Sequence, residues 1–175
     1  MIFKALPLYG SYIIELERKQ DERGFFARAW CKNEFSTRGL SSEFVQFNIS
    51  YNFKKGTLRG IHYQIEPHQE DKIVRCTKGA VYDVIIDIRP ESPTYKKWFS
   101  VEISAENYFM LYIPKGFAHG FQTLTDNTEL YYQMSEYYHQ ECAHGIRWND
   151  PEFKIDWPLK PTVISKNDQL YEDYL

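Results

Sequence analysis

The stretch from Gly79 to Arg89 alternates so strictly that it reads as one long extended strand. Ala80, Tyr82, Val84, Ile86 and Ile88 fall on one side; Val81, Asp83, Ile85, Asp87 and Arg89 fall on the other. A period of two is that of a strand, whose side chains point alternately to opposite faces. Gly79 and Pro90 bound it, and charge gathers on one face. The same alternation recurs in Trp98 to Ser104, Tyr108 to Ile113, Phe121 to Leu124 and Glu129 to Ser135, and earlier in Tyr12 to Glu17 and Phe44 to Ser50. The turn signals Lys55-Gly56, Lys78-Gly79 and Pro114-Lys115-Gly116 recur at intervals typical of sandwiches and barrels. Helix is expected only in short pieces, the best being Asn33 to Arg38, with Asn33 as N-cap and Gly39 as stop. From Asn149 onward an irregular, Pro-rich tail is expected. The expectation is one all-β domain spanning residues 1–175.

Composition narrows the function. Aromatic residues make up 17% of the chain, which suits pleated surfaces and offers stacking faces to a ring-shaped ligand. A net charge of −3 gives no bulk attraction to nucleic acid or to an anionic membrane surface. No stretch approaches the roughly 18 apolar residues of a membrane span, and the interrupted start from Met1 to Pro7 does not read as a signal peptide. Cys31, Cys76 and Cys142 are odd in number and lack C-x-x-C spacing, so reduced thiols in a cytoplasmic protein are expected.

Three clusters could carry chemistry. In Thr57 to Gln64, period two puts His62 and Gln64 on one face, with Arg59 lying across Gly60 from it. Ile113 to Phe121 sets His119 in a Gly-punctuated turn between strands. Glu129 to Gln133 must point one of Tyr131 and Tyr132 inward. A tightly held metal is not expected, because Gln64 stands where a second imidazole would follow His62 and no Glu comes after at the right interval. His68, His139 and His144 read as surface residues of polar segments. What remains is acid–base chemistry next to a ketone, which needs a base, a donor for the enolate oxygen and an acid. His62 can be the base, with Asp83 or Asp168 to orient its ring. Tyr132 can be the acid, and Lys72 or Arg59 can steady the oxyanion.

Seven segments in order, among them Asp21 to Phe26, Phe44 to Ser50, Leu58 to Gln64, Lys72 to Cys76 and Ile146 to Pro151, make the chain resemble the dTDP-4-dehydrorhamnose 3,5-epimerase family. The resemblance implies a cupin-type double-stranded β-helix, a jelly-roll barrel with short flanking helices. It implies a homodimer, no cofactor, and epimerisation of a nucleotide-linked 4-keto-6-deoxy sugar at carbons 3 and 5. By resemblance His62 is the base, Asp168 its carboxylate partner, Tyr132 the acid and Lys72 the group that steadies the enolate. Arg59 and His119 fall near the sugar and diphosphate, and Asp83 backs His119. Gln46 and Asn48 hold nucleotide and sugar, while Arg23 and Phe26 reach the nucleotide, partly from the second subunit. Arg28 and Asn167 depart from the family pattern, which bears on the choice of sugar nucleotide. A mono-epimerase, a ketoisomerase and a non-catalytic sugar-nucleotide binder are the rival readings.

Overall fold

The strand that alternates most strictly is buried on both faces. Within β8 (Ala80–Asp87), Val84 and Ile86 are as inaccessible as Val81, Asp83, Ile85 and Asp87. A strand buried on both faces needs a layer of protein on each side. The computed structural model, which describes residues 1–174, supplies them. Its other strands are β1 (Ile2–Ala5), β2 (Tyr12–Glu15), β3 (Lys19–Asp21), β4 (Gly24–Phe26), β5 (Gln46–Asn52), β6 (Thr57–Gln64) and β7 (Lys72–Lys78). After β8 come β9 (Trp98–Ser104), β10 (Met110–Ile113), β11 (Phe117–Thr123), β12 (Thr128–Met134), β13 (Ala143–Gly145) and β14 (Val163–Ile164). Two short helices, α1 (Lys32–Ser36) and α2 (Lys166–Leu170), flank them.

Two sheets face each other in a jelly-roll of the cupin type. The first runs β1-β2-β10-β7-β12-β5, and the second runs β13-β6-β11-β8-β9, with β14 added parallel to β6. Their facing sides bury Ile13, Val74, Leu111 and Leu130 against Val81, Ile85, Ile103 and Phe121. The outer side of the first sheet is covered by α1, whose fully buried Phe35 packs with Ile14, Ile73 and Met110. The outer side of the second is covered by the C-terminal segment, through Ile146 and Phe153 on Ile61, Ile86 and Ala118. Burying such side chains is worth about 1.5–3 kcal/mol each. Val74, Phe121 and Leu130 of the apolar cluster between the sheets also form the floor of an open cavity whose other walls carry polar side chains.

Several expectations need correction. The first helix begins at Lys32, and its N-cap is Cys31, which makes no side-chain cap bond, so Asn33 lies inside it. Burial of Phe35 sets that helix more than capping does. Gly39 does close the turn, at φ +69 and with its N–H on the Ser36 carbonyl. The strand expected from Tyr108 starts at Met110, since Tyr108 itself turns at φ 59. The tail beyond Asn149 is not wholly irregular. It contributes β14 to the second sheet and then α2, where the Ser165 hydroxyl caps the helix by accepting from the Asp168 N–H at 3.1 Å.

Candidate active site

At this cavity, a bulge gathers the cationic side chains. His62 of β6 pairs with His119 of β11, yet Arg59 pairs with Phe121, so Gly60 and Ile61 on β6 together face the single Gly120 on β11. The extra residue sits at Gly60–Ile61 and breaks the alternation, which turns Arg59 to the same side as His62. Glycine is required here. Gly60 has φ +121, and a Cβ on it would stand 2.6 Å from the Cα of Gly120. Sequence periodicity had put Arg59 across from His62; the bulge puts both on the wall of one cavity. His119, expected in a turn, lies inside β11 and faces the same space.

The cavity has two lobes of about 430 and 330 Å³, which share His62, Lys72 and Tyr132 as wall residues. Together they are of a size that holds a small organic ligand. His62 comes from the second sheet. Tyr132 and Lys72 come from β12 and β7, neighbours in the first sheet, and so stand on the opposing wall. Gln46 and Asn48 of β5 also line the larger lobe. Of the paired tyrosines, Tyr132 faces the cavity, while Tyr131 turns outward to stack on Phe47 with centroids 6.2 Å apart.

Carboxylates hold both imidazoles. His62 Nε2 lies 2.8 Å from Asp168 Oδ1, and Asp168 Oδ2 accepts the Gly60 N–H at 3.2 Å. Burial opposes ionisation of Asp168, but the His62 bond and charge, the Gly60 N–H and Ser165 outweigh it and hold its carboxyl below the usual range. An ionised Asp168 takes the proton of Nε2 and leaves the Nδ1 lone pair of His62 for other work. The second pair is separate: His119 Nε2 is 2.9 and 3.0 Å from the two oxygens of fully buried Asp83. Burial pushes the Asp83 carboxyl up, against the charge and bond of His119 and the charge of Lys72. Arg59 is steered by its Nε–H donating to Asn52 Oδ1 at 2.7 Å. The Tyr132 phenol is raised above its ordinary value, chiefly by burial; Arg59 opposes this and Glu70 adds to it.

Some wall residues were not singled out from sequence. Glu70 is nearly inaccessible; its Oε1 lies 2.6 Å from Lys72 Nζ, and its Oε2 accepts from Gln64 Nε2 at 3.0 Å. Its place two residues before Lys72 was the available signal, since strand-spaced neighbours share a face. Tyr171 stands edge-on to His62, with ring centroids 6.0 Å apart, and lies over Gly145. Only the folded-back tail reveals it. His144 is exposed at the rim and stacks on Tyr63. Arg23 and Phe26 are not brought to the cavity within one chain. They sit on the β3–β4 hairpin, 85% exposed at the Arg23 side chain, where Arg23 bonds Asp21. Arg28, likewise outside the cavity, is paired with Glu34 at 2.9 Å.

A cupin-type barrel whose opposing walls carry a histidine–carboxylate pair on one side and a buried phenol and an ammonium group on the other is the class that fold and site define. Residues 5–174 match the family model described as dTDP-4-dehydrorhamnose 3,5-epimerase, and the chain belongs to that family. A dTDP-4-dehydrorhamnose 3,5-epimerase from Shigella flexneri is 46% identical over 149 residues, 85% of this chain and 82% of the relative. The crystal structure of that enzyme from Elizabethkingia anophelis NUHP1 is similar with a TM-score of 0.96 and 37% identity, covering 99% of this chain and 96% of that one. The structure from Bacillus anthracis str. Ames, with TDP and PPi bound, gives 0.95 at 38% identity over 99% of each chain.

Proposed function

We propose that this chain converts dTDP-4-dehydro-6-deoxy-D-glucose to dTDP-4-dehydro-L-rhamnose by moving protons at carbons 3 and 5 through enolates. The observation that carries this reading is His62, backed by Asp168, facing Tyr132 across one cavity from the opposite sheet. The 4-ketone acidifies the hydrogens on both neighbouring carbons. His62 Nδ1 takes one of them, and the charge that develops on the ketone oxygen is met by Lys72 Nζ. Tyr132, kept protonated by burial, returns a proton to the other face of the ring, and the carbon is inverted. His62 then loses its proton to water and Tyr132 regains one, which readies both for the second carbon. A binder has no use for this opposition, and a ketoisomerase, which works along one edge of the ring, does not need Tyr132. Arg59, His119, Gln46 and Asn48 are assigned to the diphosphate, sugar and base, with Asp83 holding His119.

The same proposal includes a homodimer acting in the cytoplasm. Strand β5 closes one edge of the first sheet, and its outward residues Phe47, Ile49 and Tyr51 are exposed while Gln46, Asn48 and Asn52 point in. An exposed edge with an apolar outer face is a template for pairing. Pairing there would let a second copy's Arg23 and Phe26 complete the nucleotide end of the cavity. Three free thiols suit a reducing compartment. The test is solvent exchange: the protein is incubated with dTDP-4-keto-6-deoxyglucose in deuterated water, with and without chelator, and the ring protons are followed by NMR. Deuterium at carbons 3 and 5, lost in His62→Ala, supports the reading. Incorporation at one carbon replaces it with a mono-epimerase, and no exchange discards this substrate.

A further inference from the structure

Behind the cavity wall, two histidines of polar loop segments come together with a carboxylate. His68 lies in the loop between β6 and β7, and His139 and Glu136 lie in the segment that follows β12. The imidazoles of His68 and His139 are stacked, with centroids 3.4 Å apart and planes 13° from parallel. His68 Nδ1 is 3.8 Å from Glu136 Oε2. One donor atom from each of His68, Glu136 and His139 falls within 4.8 Å of the other two, and His68, Glu141 and Cys142 form a second, overlapping group by the same measure. His68 Nδ1 is itself inaccessible to solvent and has no hydrogen-bond partner among the described residues. A buried imidazole nitrogen without a partner is costly unless something occupies it.

We propose that His68, His139 and Glu136 bind a divalent transition-metal ion, zinc by the chemistry of the donors, in a site separate from the reaction centre. Two imidazoles and a carboxylate, with a thiol in reserve, are the donor set of zinc and not of calcium or magnesium, which take oxygen ligands. Binding draws the two rings out of their stack so that each directs a lone pair in its own plane at one ion. Each histidine must be neutral to do so, and any proton it carries is released to solvent. The ion would clip together two loops that protein contacts already join. The buried amide nitrogen of Gln64 shares its two N–H donors among the carbonyls of His68 and Tyr137 and the carboxylate of Glu70, and its oxygen accepts the His139 N–H. Glu70 in turn holds Lys72. The clip therefore braces the wall that carries Lys72 without entering the cavity, and it stands whether or not the proposed reaction is correct.

The test uses the full chain, stripped of metal with a chelator and dialysed, and zinc and cobalt(II) as probes. Isothermal titration with zinc should give one site per chain, and cobalt should develop visible ligand-field absorption. Zinc at 100 times its dissociation constant should lower the unfolding equilibrium constant about 100-fold. His68→Ala and His139→Ala should each abolish the cobalt spectrum and the stabilisation, while His144→Ala, at an exposed histidine outside the cluster, should keep both. His139→Ala retains the backbone bond to Gln64, so it decides the matter if His68→Ala does not fold. Absence of binding by the wild type, or binding that survives His139→Ala unchanged, overturns the site.

Discussion

Replacing Asp168 with Asn keeps the volume of a residue that is only 5% exposed, and it removes the one charge that orients His62. In the wild type one oxygen takes the His62 Nε2 proton and the other takes the Gly60 N–H. An amide cannot serve both. With its oxygen toward His62, its NH₂ meets the Gly60 N–H donor to donor. With its oxygen toward Gly60, the NH₂ donates to Nε2, the ring proton moves to Nδ1, and the base has no lone pair for the substrate. A correctly presented general base is worth about 10²–10⁴-fold, or roughly 2.7–5.4 kcal/mol of barrier, and that is the expected loss in kcat. Loss of a charge-assisted bond should also cost about 1.5–3 kcal/mol of stability at neutral pH. The sign with pH follows from the lowered carboxyl. Its contribution is complete above about pH 4, the ordinary carboxylate value, and fades as pH falls through the lower folded value. The wild-type advantage over Asp168→Asn in urea unfolding should therefore shrink only under strong acid. Single-turnover exchange of the carbon 3 and carbon 5 protons, read by NMR, measures the kinetic part. An Asp168→Asn rate within tenfold of wild type would refute the orienting role.

Glu70→Gln leaves Lys72 without its carboxylate and should lower kcat by about tenfold or more with a smaller change in KM, because the ammonium is then free to leave the position where enolate charge develops; steady-state kinetics with an intact fold by circular dichroism checks it. Gly60→Ala forces a Cβ against the Gly120 backbone at a φ that L residues avoid, and should destabilise by about 3 kcal/mol or more in urea denaturation. Ile49→Arg, at a residue 66% exposed on the edge strand, should weaken the proposed self-association at least tenfold, about 1.4 kcal/mol, by sedimentation equilibrium. An unchanged mass would move the interface elsewhere.

The strands were legible because burial enforces a period of two, and β8, β9 and β12 appear close to where alternation put them. The two-sided burial of β8 was less legible: Asp83 and Asp87 look like a wet face in sequence, but one is paired with His119 inside the barrel and the other is enclosed by Arg89, Ser92 and Thr94. His119 was misplaced because Gly116 and Gly120 read as turn residues, whereas Gly120 is there to let β6 and β11 approach. Arg59 was assigned the wrong side of its strand because a bulge leaves no compositional mark beyond one glycine. Asp168 and Asp83 were equal candidates for His62 until family resemblance chose, since no local pattern tells that a tail more than a hundred residues away folds back on β6. The His68–His139 stack was invisible for the same reason. Its members belong to two loops joined through Gln64, whose only mark in the sequence is that it stands where a second imidazole would follow His62.

In the proposed reaction protons leave one face of the sugar and return to the other, by way of His62 and Tyr132 on opposing sheets. Tyr132→Phe tests it most directly, with dTDP-4-keto-6-deoxyglucose in deuterated water and the ring protons and coupling constants followed by NMR. Deuterium should still enter carbon 3, returned by His62 to the face it came from, while L-rhamno product should fall by at least a hundredfold, about 2.7 kcal/mol in barrier. Doubly inverted product formed at the wild-type rate would contradict it, because the acid would then have to be some other group.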